Sequence, residues 1–180
     1  MATDIVLVMV GAITVGVLAQ VTIPLYPVPI TGQTLAVLLV GGSLGMRRGV
    51  AALGTYTAVG LAGVPWFAEF GGGAAYLLKP SFGYIIGFIV AAGVIGWLAE
   101  REWDRRPMLS MAGFGLASLV PFIFGLPYLA MITGQHDITT VLTLGFYPFI
   151  AGGIVKWLIA AAIFPAAWKM IRKVDASKQD

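Results

Sequence analysis

The chain alternates between long apolar runs and short segments rich in proline or charge. The apolar runs cover residues 5–23, 31–46, 49–64, 81–99, 108–132 and 144–170. Their length suits helices that cross a hydrocarbon core of about 30 Å, although the second and third are at the short limit. The pattern predicts an all-α integral membrane protein, a bundle of six transmembrane helices.

The breaks between the runs are of two kinds. Prolines end the first run at 24–29 and the third at Pro65, because proline cannot continue a helix. Charges end the second run at Arg47 and Arg48 and the fourth at 100–106. A connection over 66–80 and a polar loop over 134–140 complete the pattern, and Pro121 and Pro127 are expected to bend the fifth helix.

Composition agrees with a lipid environment. Of 180 residues, 59% are hydrophobic and 11% charged, against about 25% charged in soluble domains. The mean hydropathy is +0.93. A soluble protein of this size would leave large apolar patches in water, so we predict one membrane domain over residues 1–180.

The basic residues indicate a topology. Nine lie at one set of helix ends: Arg47, Arg48, Arg101, Arg105, Arg106, Lys169, Arg172, Lys173 and Lys178. The opposite loops hold only Lys79, and Lys156 lies inside a predicted helix. By the positive-inside rule both termini face the cytoplasm, in a plasma-membrane protein whose first apolar run is a retained helix rather than a signal peptide.

Several enzyme classes are excluded. No cysteine is present, so thiolate chemistry is absent. The glycines at 71–73 lack the Lys-Ser/Thr of a phosphate-binding loop; they form either an outer loop or a loop that closes over a ligand. His136 has no second histidine for a metal site. Every carboxylate lies in a loop, a tail or a helix end, which argues against ion-coupled transport.

Two features of the sequence each allow either a purely structural or a functional interpretation. Small residues recur at four-residue spacing, as at Gly41 and Gly45, and either pack helices inside the bundle or form a docking face. Lys156 lies within an apolar segment, where a charge costs about 2.5–3.5 kcal/mol. Its side chain either extends to the outer surface or faces a ligand cavity, and the cavity is the favoured interpretation.

Four stretches resemble a known family in order along the chain. They are PVPITGQTLAVLL at 27–39, GLAGVPWFA at 60–68, YLLKPSFGYIIGF at 76–88 and PFIAGGIVK at 148–156. Together they resemble the BioY family, the biotin-specific S components of energy-coupling-factor (ECF) transporters. The resemblance implies a six-helix subunit, without a cofactor, that captures biotin from outside.

The resemblance also implies partners. S components work with a transmembrane coupling subunit and two cytosolic ATPase subunits, which would supply the energy that this chain cannot. In the family, a small-residue motif on the first helix contacts the coupling subunit. The matching residues here are Ala12 and Gly16, where two alanines are more common.

Biotin has an apolar bicycle, a ureido group and a carboxylate, so its pocket needs aromatic walls and a few polar groups. Walls are expected from Trp66, Phe67, Tyr76 and Tyr84, although each ring taken alone is equally typical of a membrane-interface anchor. Polar contacts are expected from Gln33, Lys79 and Lys156. Gly153 stands where many family members have an aspartate. If that aspartate accepts hydrogen bonds from the ureido N–H groups of biotin in the family, another acceptor must do so here. A free carbonyl near Gly152 and Gly153 is one such acceptor.

Two other functions remain as alternatives. A small channel or facilitator would need a continuous polar pore, and no polar stripe of that kind is visible. A membrane-embedded enzyme would need a catalytic cluster, which the sequence lacks.

Overall fold

The structure is a computed structural model that describes the backbone of residues 1–176 and the side chains of residues 1–174. The helices are α1 (Ala2–Ala19), α2 (Gln33–Leu61), α3 (Phe82–Ala99), α4 (Pro107–Thr133), α5 (Ile138–Gly145) and α6 (Tyr147–Ala176). Two short strands, β1 (Thr22–Ile23) and β2 (Ile30–Thr31), pair antiparallel between α1 and α2. Within this part of the chain, five helices are long and apolar enough to cross a membrane.

The second and third predicted helices are the two arms of α2, which folds back on itself at Gly45. Gly45 has φ +76° and ψ 176°, a conformation open essentially only to glycine. A Cβ on Gly49 would lie 3.1 Å from the Cα of Gly41, so the arms touch. Gln33 reaches Tyr56 on the opposite arm, 23 residues away, at 2.6 Å. α2 is therefore a hairpin with arms 33–44 and 46–61, and six helical membrane segments result.

Small residues bring the helices into close contact. A Cβ on Gly41 would lie 2.7 Å from the carbonyl oxygen of Ala92 in α3, and one on Gly87 would lie 2.5 Å from the Cα of Pro121 in α4. These glycines lie at helix contacts inside the bundle. This agrees with internal packing, the first of the two interpretations of the small-residue stripes. Their packing brings α2, α3 and α4 together, and α6 completes the bundle against α4 and the first arm of α2.

The predicted docking pair on α1 faces inward. Ala12 is fully buried, and a Cβ on Gly16 would lie 3.2 Å from the indole of Trp66. Both residues contact their own chain. The exposed side of α1 is formed by larger residues such as Ile13 and Val17. The expectation that Ala12 and Gly16 lie on an open docking surface is therefore wrong for this structure.

The predicted polar loop 134–140 ends earlier than expected. Helix α5 begins at Ile138, and its N-cap Asp137 accepts hydrogen bonds from the hydroxyl and the N–H of Thr140. These bonds lower the pKa of Asp137. His136, next to it, is exposed. The sixth membrane segment then begins at Tyr147 rather than near residue 144.

The charged ends meet on one side of the bundle, as predicted. Arg48 pairs with Asp4 at 2.6 Å, and Glu100 accepts from the N–H of Met46 at 2.9 Å. Arg105 stacks on Trp168 near the end of α6. The start of α1, the α2 turn, the α3–α4 turn and the end of α6 thus share one end, here called the basic end. Lys178 lies outside the described residues.

Candidate functional site

A cavity of about 560 Å³ lies beneath the connections opposite the basic end and extends along α4 as far as Met111, near the start of that helix. Ligand pockets in proteins span about 300–1,000 Å³. Its wall comes from α3, α4, α6, the start of α2 and the two connections 20–32 and 62–81, here called the outer loops. The residues that supply its polar atoms are Thr31, Gln33, Thr34, Tyr76, Ser81, Tyr84, Ser118, Lys156 and Trp157.

Aromatic rings form one wall of the cavity. Tyr84 lies 6.0 Å from Phe149 in a stacked arrangement and 5.9 Å from Phe122 edge-on, and Phe122 lies 4.9 Å from Phe146. The Tyr84 hydroxyl donates to the carbonyl of Gly145 at 2.8 Å, which fixes the ring where α5 meets α6. The wall can therefore pack against a flat apolar ligand. Of its rings, the sequence predicted Tyr84.

Lys156 faces the cavity rather than extending to the outer surface. Its Nζ donates a hydrogen bond of 2.6 Å to the carbonyl oxygen of Thr31 in β2, and the residue is half-buried. An ammonium group has three donors, so this bond leaves two for a ligand. The structure thus provides a cation at the cavity wall, next to the point where α2 begins.

Gln33 lines the cavity but is largely engaged within the protein. It accepts from the Thr31 hydroxyl at 3.0 Å and donates to the Tyr56 hydroxyl at 2.6 Å. Tyr56 in turn donates to the carbonyl of Trp66 at 3.4 Å. This buried network holds the α2 arms and an outer loop in place, and it leaves one amide donor of Gln33 free.

Gly153 also lines the cavity, but no free carbonyl is found beside it. α6 is helical through Gly152 and Gly153, so their carbonyls take part in the helix. The expectation of a distorted helix there is wrong. A Cβ on Gly153 would meet no atom within 4 Å, so this position is open space in the cavity wall.

Three predicted site residues lie outside this cavity. Phe67 is fully buried behind it, packed between Tyr56 at 5.2 Å and Tyr76 at 4.6 Å. Trp66 packs on α1, and its indole N–H donates to the carbonyl of Tyr56 at 2.9 Å. Trp66 and Phe67 therefore lie behind the wall and support it. The neighbouring Ala68 lines the cavity instead.

Lys79 lies in a second recess of about 510 Å³ between the two outer loops, with its Nζ 4.9 Å from the ring centroid of Tyr76. Pro29, Tyr76 and Ser81 belong to the walls of both spaces, so the recess adjoins the cavity at its outer end. Burial raises the pKa of the Tyr76 phenol. Lys79 is thus at the mouth, not in the cavity.

The side chain of Gln20, just after α1, bonds to the outer loop 62–81. Gln20 donates to the carbonyls of Trp66 and Phe67 at 3.0 and 3.1 Å and accepts from the N–H of Phe70 at 3.0 Å. The glycine-rich segment is ordered as well, since the N–H of Gly73 donates to the carbonyl of Gly60 at 2.7 Å. The outer loops that cover the cavity are therefore held in place by hydrogen bonds.

Sequence reasoning missed several cavity residues. The most important are Thr31, Thr34, Ser81, Ser118, Phe122, Phe146, Phe149 and Trp157. Thr31, Thr34, Ser81 and Phe149 lie inside or at the edge of the motif stretches, so those stretches contained the signal. Phe122 and Ser118 follow no motif; only the packing of α4 on α3 and α6 shows that they face inward.

Comparison with known proteins gives consistent matches. A model described as the BioY family matches residues 1–173. The biotin transporter BioY of Thermotoga maritima is 39% identical over 147 residues, which cover 81% of this chain and 83% of the relative. The biotin transporter BioY of Rhizobium etli is 31% identical over 158 residues, 84% of this chain and 83% of that protein.

One solved structure shares the fold. It is the crystal structure of an S-component for biotin from an ECF-type ABC transporter, with a TM-score of 0.74 over 93% of this chain and 92% of that one. The identity is 22%, so the match shows the architecture alone. Together, the apolar helices and the transporter relatives make this chain a multi-pass membrane protein.

Proposed function

The chain belongs to the BioY family, and we propose that it captures biotin as the membrane-embedded substrate-binding subunit of an ECF-type transporter. The observation that carries the proposal is the family match over 173 residues together with a cavity of ligand size. The function is transport rather than catalysis, in keeping with relatives named biotin transporters.

The cavity suits the chemistry of biotin. The ring wall of Tyr84, Phe122, Phe146 and Phe149 can pack against the apolar bicycle. Lys156 supplies donors for either the carboxylate or the ureido oxygen. Few polar groups in an apolar cavity are what orient a small ligand.

The ureido N–H groups need an acceptor, and Gly153 has no side chain to provide one. We assign this role to the hydroxyl of Thr34. It lines the cavity at the start of α2, and no hydrogen bond to it is formed within the described residues. A hydroxyl offers two acceptor lone pairs, so it can replace the missing carboxylate in part.

The proposed partners are a transmembrane coupling subunit and two cytosolic ATPase subunits. Their involvement is supported by the shared fold with an S-component from an ECF-type ABC transporter. The proposed orientation places the basic end, with both termini, in the cytoplasm and the cavity with its outer loops outside. The charge distribution supports this orientation.

Uptake of radiolabelled biotin tests the proposal in cells. The chain is expressed in a biotin-auxotrophic bacterium that lacks its own biotin transporter, with and without a coupling module. Accumulation above the empty-vector control, abolished by excess unlabelled biotin, is expected in at least the strain with the module. No accumulation in either strain, with the protein present in the membrane, would overturn the proposal.

A further inference from the structure

A groove of about 420 Å³ lies at the basic end, between the start of α4 and the last turns of α6. Its lining consists of four cations and two prolines: Arg105, Pro107, Pro165, Lys169, Arg172 and Lys173. No acidic side chain of residues 1–174 belongs to this lining. The groove is therefore a local concentration of positive charge, and it shares no lining residue with the ligand cavity.

Most of these cations are free to contact an anion. Arg105 pairs with Glu102 at 2.8 Å and stacks on the ring of Trp168 at 4.3 Å. The three cations of α6 are exposed, and none of them forms an ion pair with a side chain of the first 174 residues. An anion in the groove would meet donors on both α6 and the α3–α4 turn.

The groove is also preformed. The indole N–H of Trp168 donates to Oδ2 of Asp104, a carboxylate that is only 4% exposed. The Ser110 hydroxyl donates at 2.9 Å to the carbonyl of Ala161, which Pro165 leaves without its helical partner. These two bonds fix α6 against the α3–α4 turn and against α4.

Its depth in the membrane indicates the kind of anion. Trp97 and Trp168 lie at this end, and the guanidinium of Arg101 lies 3.7 Å from the ring centroid of Trp97. Tryptophan marks the interface between acyl chains and headgroups. Exposed apolar side chains, Met108 at 81% and Met170 at 70%, lie beside the groove residues in sequence. Cations at headgroup level beside apolar side chains suit a lipid better than a soluble anion.

We propose that this groove binds the headgroup phosphate of an anionic phospholipid. Basic pockets between transmembrane helices bind such headgroups through charge-assisted hydrogen bonds. The site is distinct from the ligand cavity, because no residue lines both.

Native mass spectrometry of the purified full-length chain tests this assignment. The protein is titrated with phosphatidylglycerol and with phosphatidylcholine, and the retained lipid is counted. The groove variant carries Lys169→Gln, Arg172→Gln and Lys173→Gln. The control variant removes the same charge at the same end, outside the groove, through Arg47→Gln, Arg101→Gln and Arg106→Gln. Biotin binding should be unchanged in both variants, which shows that both are folded.

We expect the wild type and the control to retain one phosphatidylglycerol in preference to phosphatidylcholine, and the groove variant to lose about tenfold or more of that preference. Equal losses in both variants would reduce the effect to general charge attraction and overturn the site. No loss in either would overturn it too. Displacement of the lipid by inorganic phosphate would make it a free-anion site. An unchanged lipid preference with lost co-purification of a coupling subunit would make it a protein-binding surface.

Discussion

Lys156 is the residue on which the ligand site depends most. It is half-buried among apolar neighbours, and within the described residues its one hydrogen-bond partner is the Thr31 carbonyl. A cation is stabilised more by a charged or strongly polar ligand than by a single carbonyl. The sequence predicted a cavity-facing lysine here because no carboxylate could pair with it inside a helix.

Lys156→Met should weaken biotin binding by about 1.5–3 kcal/mol, the range for a hydrogen bond to a charged group. Methionine keeps most of the stem, so the fold is expected to persist. Lys79→Met is the matched control, and it should change affinity by less than about threefold, because Lys79 lies in the outer recess. Isothermal titration with biotin measures both. Equal affinities of wild type and Lys156→Met would remove Lys156 from the site.

Thr34→Val replaces the proposed acceptor hydroxyl with a methyl group of similar size. The loss of one neutral hydrogen bond should lower biotin affinity by about 0.5–1.5 kcal/mol. Thr14→Val is the control, since Thr14 bonds only to Val10 within α1 and lies away from the cavity. If both variants bind biotin like the wild type, the ureido group finds its acceptor elsewhere.

Other residues show why a sequence identifies a site only in part. Phe67 and Tyr84 are both aromatic and both lie in motif stretches, yet Phe67 is packed behind the wall and Tyr84 forms it. Residue type gives the chemistry of a wall, and only the course of the backbone gives the direction of the side chain. For the same reason, only the structure shows that Lys79 lies in the outer recess rather than in the cavity.

Among the elements, the α2 hairpin has the largest effect on the fold. The sequence predicted two helices separated by Arg47 and Arg48, and the structure places the reversal at Gly45. At 1.5 Å per residue, the arm 33–44 is about 18 Å long, shorter than the hydrocarbon core. The outer loops fill the remaining depth, and the cavity lies beneath them. α5 was missed because it is short, although Asp137 before an apolar run is a helix-start signal.

Gly45→Ala tests the hairpin turn. Its φ of +76° is strained for any residue with a Cβ, and that Cβ would lie 2.7 Å from Oε1 of Glu100. We expect a loss of about 1–3 kcal/mol in the free energy of unfolding. Gly54→Ala, in the helical part of the second arm with nothing within 4 Å, should be neutral or stabilising. Unfolding in detergent measures both, and equal stability of the two variants would contradict a turn at Gly45.

At the scale of the whole molecule, charge gives the two ends of the bundle distinct surroundings. The sequence predicted this separation correctly, because basic residues are sorted by side during membrane insertion. It could not predict that Ala12 and Gly16 face inward, because a small residue serves equally at an internal contact and at a docking surface. For the proposed coupling subunit, a docking surface is therefore expected among the exposed residues.

Cysteine labelling tests the proposed orientation. The chain has no cysteine, so Lys79→Cys and Arg47→Cys each introduce a unique thiol at opposite ends. In intact cells a membrane-impermeant maleimide should label residue 79 and not residue 47, and permeabilised cells should label both. Labelling of residue 47 in intact cells would place the basic end outside.

The most direct test of biotin capture in the cavity is equilibrium binding of biotin to purified wild type, Gly153→Leu and Gly54→Leu. Both glycines are helical and have open space where a Cβ would lie, but only Gly153 lines the cavity. The wild type and Gly54→Leu should each saturate with one biotin per chain. Gly153→Leu should be at least as stable as the wild type but bind about tenfold or more weakly, because leucine occupies ligand space. No saturable binding by the wild type, or unchanged binding by Gly153→Leu, would contradict biotin capture in this cavity.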